Sequence, residues 1–100
     1  MSMQVRWSPD AAADLEHIVD YIRKDNADAA ERTAQTIYAR IGVLATFPNR
    51  GRPGRVYGTR ELPLPPMPYI VVYRVLDRVE AVEIVNIIHG AQRWPRLDQG

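Results

Sequence analysis

Two apolar runs, Tyr69 to Val75 and Val79 to Ile88, separated only by Leu76-Asp77-Arg78, constrain this chain more than any other feature. Both are rich in β-branched and aromatic residues, which suit a pleated, half-buried surface. Three intervening residues make a hairpin, not a crossover, so the runs pair antiparallel. Leu62 and Leu64, which flank a proline, add a strand before them and complete a small meander. Arg60, Arg74, Arg78, Arg93 and Arg96 stand around these strands, and the last strand ends on His89-Gly90. Polar chemistry therefore collects where the strands stop.

A sheet of this size needs a cover, and the first half of the chain supplies it. Met3 to Trp7 alternates apolar and polar residues over the length of one short strand. Ser8-Pro9-Asp10 then opens a helix: serine accepts the free amide protons of the first turn, proline is tolerated at the first helical position, and aspartate suits the positive end of the helix dipole. Ala11, Leu15, Ile18, Val19 and Ile22 share one face, with Asp14, His17, Asp20 and Lys24 on the other, and Asp20 is spaced to pair with Lys24. This helix runs to about Lys24. Asn26, or Asp28 with Glu31 in a capping box, starts a second helix in which Ala30, Ala34, Ile37, Ile41 and Leu44 form the core stripe. Gly42 leaves room for a close neighbour, the two helices form an antiparallel hairpin, and Phe47-Pro48 ends it.

The segment Asn49 to Gly58, NRGRPGRVYG, holds three arginines and three glycines without an acid. Like charges at this density repel and glycine frees the backbone, so the segment reads as a mobile basic contact surface built from Arg50, Arg52 and Arg55. Its glycines are not a phosphate-binding fingerprint, because no Gly-Lys-Ser or Gly-Lys-Thr follows. Residues 1–48 carry five basic and seven acidic groups, whereas residues 49–100 carry eight and five. Twelve of the thirteen basic residues are arginine, whose planar donor fork suits phosphate and carboxylate alike. A nucleic acid and an acidic protein are both compatible partners.

One hundred residues suit a single domain spanning 1–100 around one modest core. There is no apolar run of membrane-spanning length, and MSMQVRWSPD lacks the pattern of a secretion signal, so the expected compartment is the cytoplasm. The absence of cysteine excludes disulfides and thiolate chemistry. His17 and His89 lack metal-ligand spacing, so neither a metal nor another cofactor is expected.

The order of these elements, with WSPDAAADLEHIVDYI, NADAAERTAQTI, FPNRGRPGR, GTREL, PYIVVYRV and finally HGAQRWP, resembles the toxins of bacterial type II toxin–antitoxin modules, the RelE/ParE superfamily. The resemblance covers nearly the whole chain. It implies an α/β fold, more strictly α+β, with an N-terminal strand and an antiparallel helical hairpin packed on a small, mostly antiparallel sheet. It also implies a cognate antitoxin, usually encoded beside the toxin, that wraps it in a hetero-oligomer.

The superfamily divides by mechanism. RelE-like members are metal-independent endoribonucleases, mostly acting on messenger RNA in the ribosome, and the resemblance would assign Arg60, Arg74 and His89 to that chemistry. ParE-like members inhibit DNA gyrase. His89 stands where some nuclease members keep a catalytic histidine, but Gly90 replaces the aromatic residue that commonly follows it. Ile70 occupies the position of a nuclease arginine, and NRGRPGR offers no acidic base. HGAQRWP is closer to the ParE-like ending. The residues thus favour a ParE-like toxin whose partner and target contacts are Arg50, Arg52, Arg55, Arg60, Arg93, Trp94 and Arg96, with the endoribonuclease as the alternative. Arg60 is equally suited to pairing with Glu80 or Glu83 across the sheet. A plain nucleic-acid-binding module lacks a recognition-helix signature.

Overall fold

A computed structural model describes residues 2–91, Trp94 and Pro95. Five strands form one mixed sheet in the order β1-β5-β4-β3-β2: β1 (Gln4–Trp7), β2 (Arg52–Pro53), β3 (Arg60–Pro63), β4 (Tyr69–Leu76) and β5 (Ala81–His89). The expected meander is β3, β4 and β5, antiparallel throughout. The chain adds a strand at each edge, β2 antiparallel to β3 and β1 parallel to β5. Between β4 and β5, Asp77–Val79 form a short 3-10 turn that closes on Glu80 in the left-handed region, at φ 50°.

Helix α1 spans Pro9–Arg23 and α2 spans Ala27–Gly42. Ser8 Oγ accepts from the Ala11 amide at 3.0 Å, and the Asn26 side chain accepts from the Ala29 amide at 2.9 Å, so Asn26 is the second cap. Ser8 also bonds to β5: its amide donates to the Ile84 carbonyl at 3.0 Å and its hydroxyl to the Val85 carbonyl at 2.9 Å. One residue thus starts a helix and fastens it to the sheet edge where β1 ends.

The helical hairpin covers one face of the sheet. Ala11, Ile37, Ile41 and Leu44 pack with Val71, Tyr73, Val82 and Ile84, all buried. Each fully buried valine, leucine or isoleucine here contributes roughly 1.5–3 kcal/mol. The opposite face carries a smaller cluster of Ile70, Val72 and Ile88, with Val85 and Trp94 against it. No residue of either helix belongs to that second cluster.

Three expectations need correction. Asp20 pairs with Arg23 at 2.8 Å and not with Lys24, an i, i+3 contact in the last turn. A Cβ built on Gly42 would meet nothing within 4 Å, so that glycine accommodates no close neighbour. Asp14, placed on the solvent face by periodicity, turns inward: its carboxylate accepts from the Ile87 amide and from Asn86 Nδ2, both at 2.9 Å. Beyond Trp7 no strand among the described residues pairs with that edge of β5, and Asp14 supplies the acceptor that the Ile87 amide needs.

Candidate functional site

The arginine-rich loop is organised by an acid outside it. Glu61, on β3, is buried, with its side chain only 3% exposed. It takes the Arg55 amide at 2.9 Å, Arg55 Nε at 3.1 Å and Arg55 Nη2 at 3.2 Å, a bidentate grip reinforced through the backbone. Arg52 adds an ion pair at 3.6 Å. Burial pushes the Glu61 carboxyl up, but the amide and guanidinium of Arg55 and the charge of Arg52 outweigh it and hold the group below its ordinary value.

The same segment is also packed against β4. Tyr73, fully buried, donates its hydroxyl to the Pro48 carbonyl at 2.7 Å and accepts from the Gly51 amide at 2.8 Å. A Cβ on Gly51 would lie 2.7 Å from that hydroxyl and 2.9 Å from the Glu61 carbonyl oxygen. Gly51 is therefore there for close approach. The loop is thus neither loose nor without an acid partner: Glu61 offsets part of its charge and Tyr73 hydrogen-bonds its backbone. Of its three arginines, only Arg50 keeps an exposed side chain with no partner among the described residues.

Arg60 and Arg74 are also occupied. Arg60 donates Nη1 to the Gly51 carbonyl at 2.7 Å and to the Asn49 carbonyl at 3.4 Å, not to Glu80 or Glu83. Glu83 belongs instead to Arg74, directly opposite it in the β4–β5 register. Directly paired residues share a face of a sheet, so Arg60, opposite Tyr73, lies on the helix-covered side, whereas Arg74 lies on the other. His89 pairs with Tyr69, four residues from Tyr73, or about 13 Å along the strand. The set Arg60, Arg74 and His89 is thus divided between two faces and two ends of the sheet.

His89 is exposed at the end of β5. Its Nδ1 accepts from the Ala91 amide at 3.1 Å, and its ring meets Tyr69 edge-on, with centroids 6.1 Å apart. With His17, Tyr21 and Pro68 these rings line a cleft of about 460 Å³. Among the described residues, no three His, Cys, Asp or Glu side chains group to hold a metal ion.

Trp94 joins the apolar cluster on the uncovered face, and its indole N–H donates to Asn86 Oδ1 at 3.1 Å. Because Asn86 in turn donates to Asp14, a polar relay runs from α1 to Trp94. Arg93 and Arg96 lie outside the described residues. Trp7, the other tryptophan, stacks on Tyr38 at 5.3 Å.

Sequence reasoning missed Glu61, Asp14 and Asn86. A signal existed for two of them. Glu61 is the only acid between Glu31 and Asp77, a stretch with seven arginines, and Asn86 is a lone amide inside an apolar run. A buried amide must find partners.

Residues 5–94 match the family model described as the ParE toxin of the type II toxin–antitoxin system, parDE. Y4kP of Sinorhizobium fredii, provisionally named a toxin, is 42% identical over 94 residues, covering 94% of this chain and 95% of the relative. Toxin RelE2 of Caulobacter vibrioides is 40% identical over 89 residues, covering 89% and 97%. Among solved structures, a chain of the chromosomal ParDE toxin–antitoxin system of P. aeruginosa superposes with a TM-score of 0.79 at 31% identity, covering 88% of this chain and 96% of that one.

Proposed function

Because the chain belongs to the ParE toxin family of type II toxin–antitoxin systems, within the RelE/ParE superfamily, we propose that it acts by binding and inhibiting DNA gyrase, and is neutralised by a cognate antitoxin. The observation that carries the choice of binding over catalysis is the dispersal of the nuclease candidates. Cleavage of RNA through its 2′-hydroxyl needs a proton acceptor, a proton donor and cations gathered around one phosphate. Here Arg60 bonds to loop carbonyls, Arg74 faces the other way against Glu83, and His89 stands about 13 Å along the sheet. A buried Ile70 occupies the position that nuclease members give to arginine.

In this reading the contact surface is the C-terminal segment with Arg93, Trp94 and Arg96, of which the structure describes Trp94, held against the second apolar cluster and bonded to Asn86. The purified chain should inhibit gyrase in a supercoiling assay. Changing Arg93 and Arg96 to alanine should abolish inhibition, while His89→Ala leaves it within a few-fold. The name of the Caulobacter relative, RelE2, keeps the endoribonuclease as a second reading, so the chain is run in parallel on translating ribosomes with mapped messenger ends. Discrete cleavage that vanishes in His89→Ala, with supercoiling untouched, would replace the first reading by the second.

A further inference from the structure

One groove outside these sites is lined by cations with donors to spare. It lies between α2 and the turn from β3 to β4, and has a volume of about 360 Å³. Arg32, Thr33, Thr36 and Arg40 form one wall, at spacings that place them on a single helix face. Pro66 and Met67 form the other, and no acid lines the groove. Arg40 donates Nη1 to the Pro65 carbonyl at 2.7 Å, which holds its guanidinium across the groove while its other donors stay available. Arg32 is exposed and makes no hydrogen bond or ion pair among the described residues.

The two guanidinium-bearing positions are eight residues apart on one helix, about 12 Å along its axis. An extended chain advances about 3.3 Å per residue, so side chains four residues apart match that span. Carboxylates pair bidentately with arginine, the threonine hydroxyls between them suit a peptide backbone, and Met67 offers an adaptable apolar contact. No aromatic ring lines the groove, which removes the stacking that single-stranded nucleic acid uses.

We propose that this groove receives an extended, acidic segment of the antitoxin, with two carboxylates four residues apart on Arg32 and Arg40 and an apolar side chain between them against Met67. The proposal rests on the reading of the chain as an antitoxin-neutralised toxin. It is distinct from the gyrase contact, because α2 packs on the face of the sheet opposite Trp94.

The test uses the full chain and the antitoxin encoded beside it. Dissociation constants are measured for the wild type, for Arg32→Glu, and for the double variants Arg32→Glu/Arg40→Glu and Arg32→Gln/Arg40→Gln. Charge reversal at both positions should weaken binding on the order of 100-fold, and the glutamine pair by less. Arg32→Glu alone should weaken it several-fold while free-chain thermal unfolding is unchanged, which excludes a folding artefact. Hydrogen exchange in the wild-type complex should slow at residues 29–40 and at Met67, the two prolines before it having no amide hydrogen. Unchanged affinity in the reversed variants, or protection confined to other segments, would overturn the groove while leaving the antitoxin reading intact. Failure of the wild type to bind the antitoxin would remove both. Self-association of the wild type that is lost in Arg32→Glu, with antitoxin affinity unaltered, would assign the groove to a second copy and overturn the proposal.

Discussion

The arginines of the loop before β3 and those of α2 make opposite uses of the same side chain. Arg52, Arg55 and Arg60 look like the molecule's cationic surface in sequence, yet Glu61 and the carbonyls of Asn49 and Gly51 take up their donors. Arg32 and Arg40, diluted among alanines and threonines, line a groove without an acid. The local density of positive charge therefore says little about which cations a partner meets. What decides is whether the fold brings an acceptor to them, and a buried carboxylate is the strongest acceptor on offer.

The largest expected effect breaks this contrast at its centre. Glu61→Ala leaves the Arg55 amide and two arginines without their acceptor and should cost about 3 kcal/mol. For a chain of this size that corresponds to a Tm lower by some 12–24 °C, roughly. A shift of only a degree or two in thermal unfolding would mean that the loop is a surface appendage after all.

Gly51→Ala tests the packing side of the same lock. The new methyl meets the Tyr73 hydroxyl and the Glu61 carbonyl well inside contact distance, so a loss of about 2 kcal/mol is expected by urea denaturation. Combining it with Tyr73→Phe, which removes the hydroxyl but keeps the ring carbon 2.8 Å from the new methyl, should cost somewhat less than the sum of the two single changes. Strict additivity would show that the ring carbon and the Glu61 carbonyl, not the hydroxyl, carry the clash.

Acid should weaken the lock in a defined window. Because Glu61 holds its proton less readily in the folded chain, its contribution is fully present above the unfolded value of about 4.3 and is lost as pH falls from there through the lower folded value. In Glu61→Gln the stability curve should be flatter than the wild type's over that acid range. Parallel curves would remove Glu61 as the titrating group.

The smallest effect belongs to the cations that the fold leaves alone. Arg32→Gln and Arg50→Gln should each change stability by less than about 0.5 kcal/mol, because neither side chain has a partner among the described residues. A loss comparable to that of Glu61→Ala would erase the distinction between the two arginine groups.

Local order was legible from short range because its causes are short range. Ser8 caps α1 three residues ahead of the amide it accepts, the apolar stripes of both helices repeat within a turn, and the two runs of the hairpin adjoin in sequence. The order of these elements also carried the family resemblance. Three further features depended on strand register and helix docking, which no local pattern encodes. The pairing of Arg74 with Glu83 requires the β4–β5 register to place them opposite one another. The parallel seat of β1 on β5 and the inward turn of Asp14 join residues more than seventy positions apart. The loop arginines lost their apparent freedom for the same reason: Glu61 reaches Arg52 and Arg55 only once β2 pairs with β3. Charge counts in sequence treat every arginine alike, whereas tertiary structure sorts them by the acceptors it delivers and by the water it removes.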